Sequence, residues 1–228
     1  MTGILLQARI DSQRLPRKIL LPIAGKPLLQ HAMENLLAVP ADVYAVVTDE
    51  ASLPELQPLC GRCGFQVIAG HPTDVLARYH RAAEQLGLDT VVRATGDNPL
   101  VSPEIADASL QLARQTAADY AGLLHPPYGT AVEVLRADAL ARAYRDAASS
   151  GEREHVTAYI YGNPELFRLA LQPAPDSWRS SARVTVDTPE DLAYMRRLFA
   201  ELYSGSPIPI TDVIQWCSRN PHARLKVS

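Results

Sequence analysis

Short apolar runs alternate with stretches of helical periodicity through the first two-thirds of the chain. Gly3–Ala8 (GILLQA) reads as a buried strand. Leu28, Leu29, Ala32, Met33, Leu36 and Leu37 then recur at the spacing of one helix face, with Pro27 in the first turn. Val43–Thr48 is a second strand, residues 52–62 a helix, and Phe65–Ala69 a short third strand. Val75, Leu76, Tyr79, Ala82, Ala83 and Leu86 make another apolar stripe, with Gly87 as its stop. Thr90–Ala94 is a fourth strand, ending on the polar corner Thr95-Gly96-Asp97-Asn98-Pro99. Ser102 and Pro103 follow as the N-cap and first position of a further helix. The alternation predicts an α/β protein of Rossmann-like, three-layer α/β/α architecture with a mostly parallel central sheet. Ligands of such sheets bind at the carboxyl ends of the strands, so the loops after strands one and four are where chemistry is expected.

The last third is less regular. Ala131–Leu135 alternates like a strand, residues 137–147 and 152–161 read as helices, and Leu166–Leu171 and Arg183–Val186 as strands. Thr188-Pro189-Glu190-Asp191 has the order of a helix start, close to a capping box, and Leu192, Met195, Leu198 and Leu202 continue it. No linker, repeat or low-complexity tract interrupts the chain. A single domain over 1–228 with a mixed-sheet extension is the simplest organisation. Its parts are about 1–116, about 117–180 and a C-terminal motif with helices, about 181–228.

Charge and composition narrow the function classes. The net charge of −3 leaves no basic footprint for nucleic acid. No run of about 20 apolar residues exists to span a membrane, and the N-terminus lacks the basic region of a signal peptide; a cytoplasmic location is expected. Cys60 and Cys63 form a lone CxxC without the second ligand pair a structural zinc site needs. Cys60 is expected to pack at a helix end before Gly64 turns the chain.

Three places carry candidate chemistry. The first loop gathers Arg9, Arg14, Arg17 and Lys18 around Ser12 and Gln13. Cations, a hydroxyl and free amides of a neighbouring helix start could wrap a triphosphate there; a solvated basic loop is the alternative. It is not a Walker A loop, because Gly25-Lys26-Pro27 lacks the upstream Gly and the Ser/Thr. Asp97, just past a central strand, is placed either to hold Mg²⁺ or to cap its turn. Asp187 ends the RVTVD segment before a helix, where it is a second metal carboxylate or a helix-dipole partner. Only the fold could bring these two together.

Strand-then-QARIDSQRLPRKILLPIAGKPLLQH resembles the opening of the cytidylyltransferases that activate sugar acids: the CMP-KDO synthetases and, more closely, the SpsF-like enzymes of spore-coat polysaccharide synthesis. VVRATGDNPLVSPEI, EREHVTAYIYGNPELF and RVTVDTPEDL resemble later blocks of the same family, in family order. The resemblance implies the nucleotide-diphospho-sugar transferase fold and transfer of CMP from CTP to a sugar-acid or related acceptor, with release of pyrophosphate. It implies nucleotide contacts from Gln7, Ala8, Arg9, Ser12, Arg14, Lys18, Asp74, Thr95 and Gly96. Arg14, Lys18, Asp97 and Asp187 would be catalytic, with Mg²⁺ on Asp97 and Asp187. Arg78, Arg93, Glu133, Arg153 and His155 would face the acceptor. Relatives are commonly dimers, so a homodimer is expected with its contact in 131–171. The chain departs from the family at Gly129-Thr130-Ala131-Val132-Glu133, where relatives often carry an acidic residue before the VEV strand. Two other readings stay open: a glycosyltransferase of similar fold, which would usually show an Asp-x-Asp triplet absent here, and a non-catalytic nucleotide-binding relative.

Overall fold

A computed structural model describes residues 1–221; residues 222–228 of the C-terminal region fall outside the described residues. The chain opens with β1 (Thr2–Gln7), whose Ile4, Leu5 and Leu6 are fully buried, as a strand covered on both faces requires. A long loop and a single 3₁₀ turn (Lys18–Leu20) lead to the small hairpin β2 (Pro22–Ile23) and β3 (Lys26–Pro27). Its two turn residues, Ala24 and Gly25, both have positive φ, 45° and 80°, as a tight primed hairpin turn demands. Then come α1 (Leu28–Leu37), β4 (Val43–Asp49), α2 (Leu53–Arg62), β5 (Gln66–Gly70), α3 (Val75–Gln85), β6 (Thr90–Thr95) and α4 (Pro103–Thr116). Pro27 sits at the cap of α1 rather than inside its first turn. The remainder runs β7 (Tyr120–Leu124), β8 (Glu133–Arg136), α5 (Ala137–Asp146), α6 (Ser150–Glu154), α7 (Ala158–Gly162), β9 (Leu169–Pro173), α8 (Pro189–Leu202) and α9 (Ile210–Arg219).

Seven strands form one sheet in the order β5-β4-β1-β6-β8-β7-β9. Every neighbouring pair is parallel except those made by β8, which runs antiparallel to β6 and β7. The fold is therefore the α/β three-layer arrangement with a mostly parallel mixed sheet. Alternate residues of each strand feed opposite faces. Ile4, Leu6, Val46 and Val92 pack with Leu29, Met33, Leu56 and Leu110 of α1, α2 and α4. Leu5, Val47 and Val91 pack on the other side with Leu76, Tyr79 and Leu140 of α3 and α5. A third cluster ties α8 and α9, through Met195, Leu198 and Trp216, to Leu28, Leu100 and Val186.

The strand order has a functional consequence. From β1 the chain moves outward to β4 and β5, then returns to β6 on the opposite side of β1. The order reverses between β1 and β6, and ligands of open α/β sheets bind beyond the carboxyl ends at such a reversal. The loop after β1 and the corner after β6 both start there.

Three expectations for the last third change. β7 was not foreseen, because its YAGLL run is short and contains a glycine. Residues 152–161 form two helices rather than one: Val156, fully buried, and Thr157, which donates to Glu133, pull the chain inward between α6 and α7. Arg183–Val186 is extended but not a ladder strand. Val184 N–H donates to the Tyr128 carbonyl and Val186 N–H to the Asp97 carbonyl, so the segment crosses the sheet end instead of following one neighbour. Cys60 lies buried in α2, and burial pushes its thiol up to about 12.

Candidate functional site

A cleft of about 980 Å³ opens at the reversal between β1 and β6. One wall is the loop after β1. Gln7, Ala8, Arg9, Ser12, Arg14 and Lys18 all line it, joined by Asp11 and Gln13. The loop is anchored from beneath: Ile10 N–H donates to Ser52 Oγ at 3.0 Å, and Asp49 accepts from Ser52 N–H at 2.8 Å. The loop itself runs into the 3₁₀ turn at Lys18 rather than into a long helix, while the start of α3, at Thr73, Asp74 and Val75, lines the same cleft. Arg17, in the left-handed region with φ 58°, turns outward to pair with Glu55, so the basic cluster divides, with Arg9, Arg14 and Lys18 inward.

Asp97 and Asp187, separated by 90 positions in the chain, converge on one cation. Lys18 Nζ donates to Asp97 Oδ2 at 2.8 Å, to Asp187 Oδ1 at 2.9 Å and to the Val186 carbonyl at 3.0 Å. Two backbone links make this possible. Gly96 N–H donates to the Gln7 carbonyl at 2.7 Å, carrying the pairing of β1 and β6 into the corner. Val186 N–H donates to the Asp97 carbonyl at 3.0 Å, seating the Asp187 segment on that corner. Capping of α8 is done by its neighbours: Thr188 Oγ1 accepts from Asp191 N–H, and Asp191 Oδ2 accepts the N–H groups of Asp187 and Thr188. The Asp187 carboxylate is thus left to face side-chain cations. Arg14 reaches its Oδ1 at 2.9 Å and Arg183 pairs with its Oδ2. Burial alone would raise the Asp187 carboxyl; the Lys18 hydrogen bond and the charges of Lys18, Arg14 and Arg183 outweigh it and hold the group below the usual carboxylate range.

Arg183 was not foreseen, since nothing in RVTVD marks it from the sequence. Its guanidinium lies 4.6 Å from the centre of the Tyr128 ring. The loop carrying Tyr128 is pressed against the same segment at Gly129, where φ is +100° and a Cβ would come within 2.9 Å of Thr185 N.

The opposite wall comes from α3, β6 and α6. Asp74, Arg93, Thr95, Arg153 and His155 line the cleft, with Thr73, Ser150 and Glu154 beside them. Asp74 also caps α3 through Ala77 N–H (2.8 Å) and lies 3.4 Å from Arg153. Arg153 is held further by the Ala147 carbonyl and by the Tyr144 ring beneath it. The His155 ring forms no hydrogen bond among the described residues.

Three predicted site residues do not line the cleft. Gly96 is the pivot of the corner, and a Cβ there would meet Leu29 at 2.8 Å. Arg78 is 2 % exposed, stacked over Gly70, and its three guanidinium nitrogens have no hydrogen-bond partner among the described residues. Burial lowers its pKa, with Asp49 working against that shift. Glu133 is partly buried behind the cleft wall. It stands opposite Arg93 in the β6–β8 register, pairs with that guanidinium, and accepts from the Tyr120 and Thr157 hydroxyls at 2.8 Å each. Burial alone would lower the Arg93 pKa, but Glu133 reverses it, so the cation is held rigid at the cleft wall.

The arrangement offers a cationic loop, two convergent carboxylates and a second wall of arginines. A family model described as cytidylyltransferase matches residues 3–208. The chain is 31% identical to the spore coat polysaccharide biosynthesis protein SpsF of Bacillus subtilis, over 96% of this chain and 95% of that one. Its structure is similar to that of a cytidylyltransferase from Leptospira borgpetersenii, with TM-score 0.87, 28% identity, and coverage of 96% and 94%. The fold is also shared with CMP:2-keto-3-deoxy-manno-octonic acid synthetase complexed with CTP, with TM-score 0.66, 22% identity, and coverage of 88% and 98%. With the family model spanning most of the chain, the protein belongs to the cytidylyltransferase family.

Proposed function

We propose that this protein transfers CMP from CTP to a small sugar-acid or related acceptor, releasing pyrophosphate, in the synthesis of a surface polysaccharide or glycoconjugate precursor. The observation that carries this reading is the meeting of Asp97, Asp187 and Lys18 under a cationic loop at the sheet reversal. The similarity to a spore coat polysaccharide biosynthesis protein and to a synthetase of a sugar acid complexed with CTP agrees with it.

In the reaction an acceptor oxygen attacks the α-phosphorus of CTP; the bond to the pyrophosphate oxygen breaks and pyrophosphate leaves. The chain contributes position and charge. Arg9, Arg14 and Ser12 hold the triphosphate, and Arg14 and Lys18 draw negative charge toward the leaving group. Arg93, locked by Glu133, and Arg153, locked by Asp74 and Tyr144, orient an anionic acceptor from the facing wall. The Asp97 and Asp187 oxygens already surround one cation, the Lys18 ammonium, and hard oxygen donors suit Mg²⁺. Bound there, Mg²⁺ would neutralise charge on the reacting phosphate.

The test is pyrophosphate release with Mg²⁺, each of CTP, UTP, ATP and GTP, and a panel of sugar acids, alditol phosphates and phosphonates. Release with CTP is expected. Silence with every nucleotide sinks the transferase reading, and release with UTP alone sinks the cytidylyl assignment. A homodimer belongs to the same proposal; the half-exposed Tyr161 and Leu171 in its contact region support it, and sedimentation of a monomer would end it. No helix among the described residues is long and apolar enough to cross a membrane. A cytoplasmic location is part of the proposal and is checked by fractionation.

A further inference from the structure

Lys18 is engaged by the wrong partners for a phosphate ligand. Its ammonium has three protons, and three protein oxygens take them: Asp97 Oδ2, Asp187 Oδ1 and the Val186 carbonyl, at 2.8, 2.9 and 3.0 Å. Those same oxygens are what this chain would offer a divalent cation. A metal on both carboxylates would lie within a few ångströms of the ammonium. The surroundings are mostly desolvated, with the Lys18 and Asp187 side chains 13% and 10% exposed, so repulsion between the two cations is weakly screened. Lysine and metal exclude one another at this position.

The surrounding groups are arranged so that the lysine can leave. Its flexible four-carbon stem moves the charge without moving the backbone. Arg183 stays on the other Asp187 oxygen, Oδ2, so part of the carboxylate's charge remains compensated when Lys18 and Arg14 turn to the triphosphate. The triphosphate loop that would receive the ammonium lines the same cleft. Among the described residues no group of three or more His, Cys, Asp or Glu could hold a metal by itself. Further ligands must come from elsewhere, and phosphate oxygens are the ready source.

We propose that Lys18 is a two-position residue: it occupies the Asp97–Asp187 pair as a resident cation until a triphosphate draws it off, so that divalent metal enters with the nucleotide and not ahead of it. This rests on the reading of Asp97 and Asp187 as metal ligands.

The experiment measures Mn²⁺ uptake by equilibrium dialysis and by loss of the free-ion electron paramagnetic resonance signal, with and without CTP. Lys18→Gln keeps the reach and removes the charge; Lys18→Arg keeps the charge. Without nucleotide, Lys18→Gln should bind Mn²⁺ at least tenfold more tightly than the unaltered protein, and Lys18→Arg should show no such gain. With CTP, the unaltered protein should retain Mn²⁺ beyond what CTP binds alone, and Asp97→Asn should not. Tight, nucleotide-independent Mn²⁺ binding by the unaltered protein overturns the proposal and needs no variant to fold. An equal gain in Lys18→Arg also overturns it. If no form takes up Mn²⁺ in either condition, the metal reading itself fails and the exchange falls with it.

Discussion

Replacing Glu133 by Gln tests whether Arg93 is a fixed cation at the cleft wall. The two residues face each other across β6 and β8, and Glu133 also accepts from Tyr120 and Thr157. A glutamine can keep the two hydroxyl bonds through its one oxygen, but it then turns an NH₂ toward the guanidinium. Among the described residues Arg93 Nε already has no hydrogen-bond partner, so the variant leaves a largely buried cation with little to compensate it. Breaking a buried pair from one side costs about 3–5 kcal/mol. These side chains keep 19% and 22% of their exposure, so the lower end, about 3 kcal/mol, applies. For a chain of this size that is a fall in melting temperature of roughly 6–12 °C. Circular dichroism melts at neutral pH measure it, and urea unfolding supplies the free energy. The double variant Arg93→Met with Glu133→Leu should recover part of the loss, because no buried charge is then stranded, while turnover stays low for want of the arginine. A Glu133→Gln protein melting within about 1 °C of the unaltered one would refute the argument.

Other outcomes follow from the same geometry. Asp97→Asn should abolish metal-dependent pyrophosphate release and leave the melting temperature near its normal value, since Lys18 keeps Asp187 and the Val186 carbonyl; persistent turnover would reduce Asp97 to a turn residue. Gly129→Ala should lower the urea midpoint, at a cost of about 1–3 kcal/mol, because φ is +100° and the added Cβ meets Thr185 N at 2.9 Å; an unchanged midpoint would contradict the close packing. Asp187 has its carboxyl held below its ordinary value of 3.8, so its contribution to stability is fully present above that pH and is lost as pH falls through the lower folded value. The stability gap between the unaltered protein and Asp187→Asn should therefore be constant from pH 7 to 5 and narrow below pH about 4. A gap that narrows at neutral pH would place the effect elsewhere.

The sequence alone determined the architecture of the first two-thirds, because each element there is specified locally. The apolar run of β1, the stripe of α3 and the Ser102-Pro103 start of α4 carry their own periodicity and capping. The order of those elements also pointed to the loops after the first and fourth strands, where the candidate cleft opens. What the sequence could not determine lay wherever a side chain's neighbours come from distant segments. Arg17 and Lys18 are adjacent cations of equal standing in the chain, yet the left-handed backbone at Arg17 sends one out to Glu55 and leaves the other on the carboxylates. Arg183–Val186 has strand composition, but its backbone partners are Tyr128 and Asp97, so it becomes a strap across the sheet end. Glu133 and Arg93 looked like two separate acceptor residues, and only the antiparallel register of β8 makes them one ion pair. Asp97 and Asp187 became a pair only when strand pairing carried the Gly96 corner and the Val186 strap to the same point. Local pattern encodes burial and secondary structure; which charges meet is decided by long-range backbone pairing, which leaves no periodic trace in the chain.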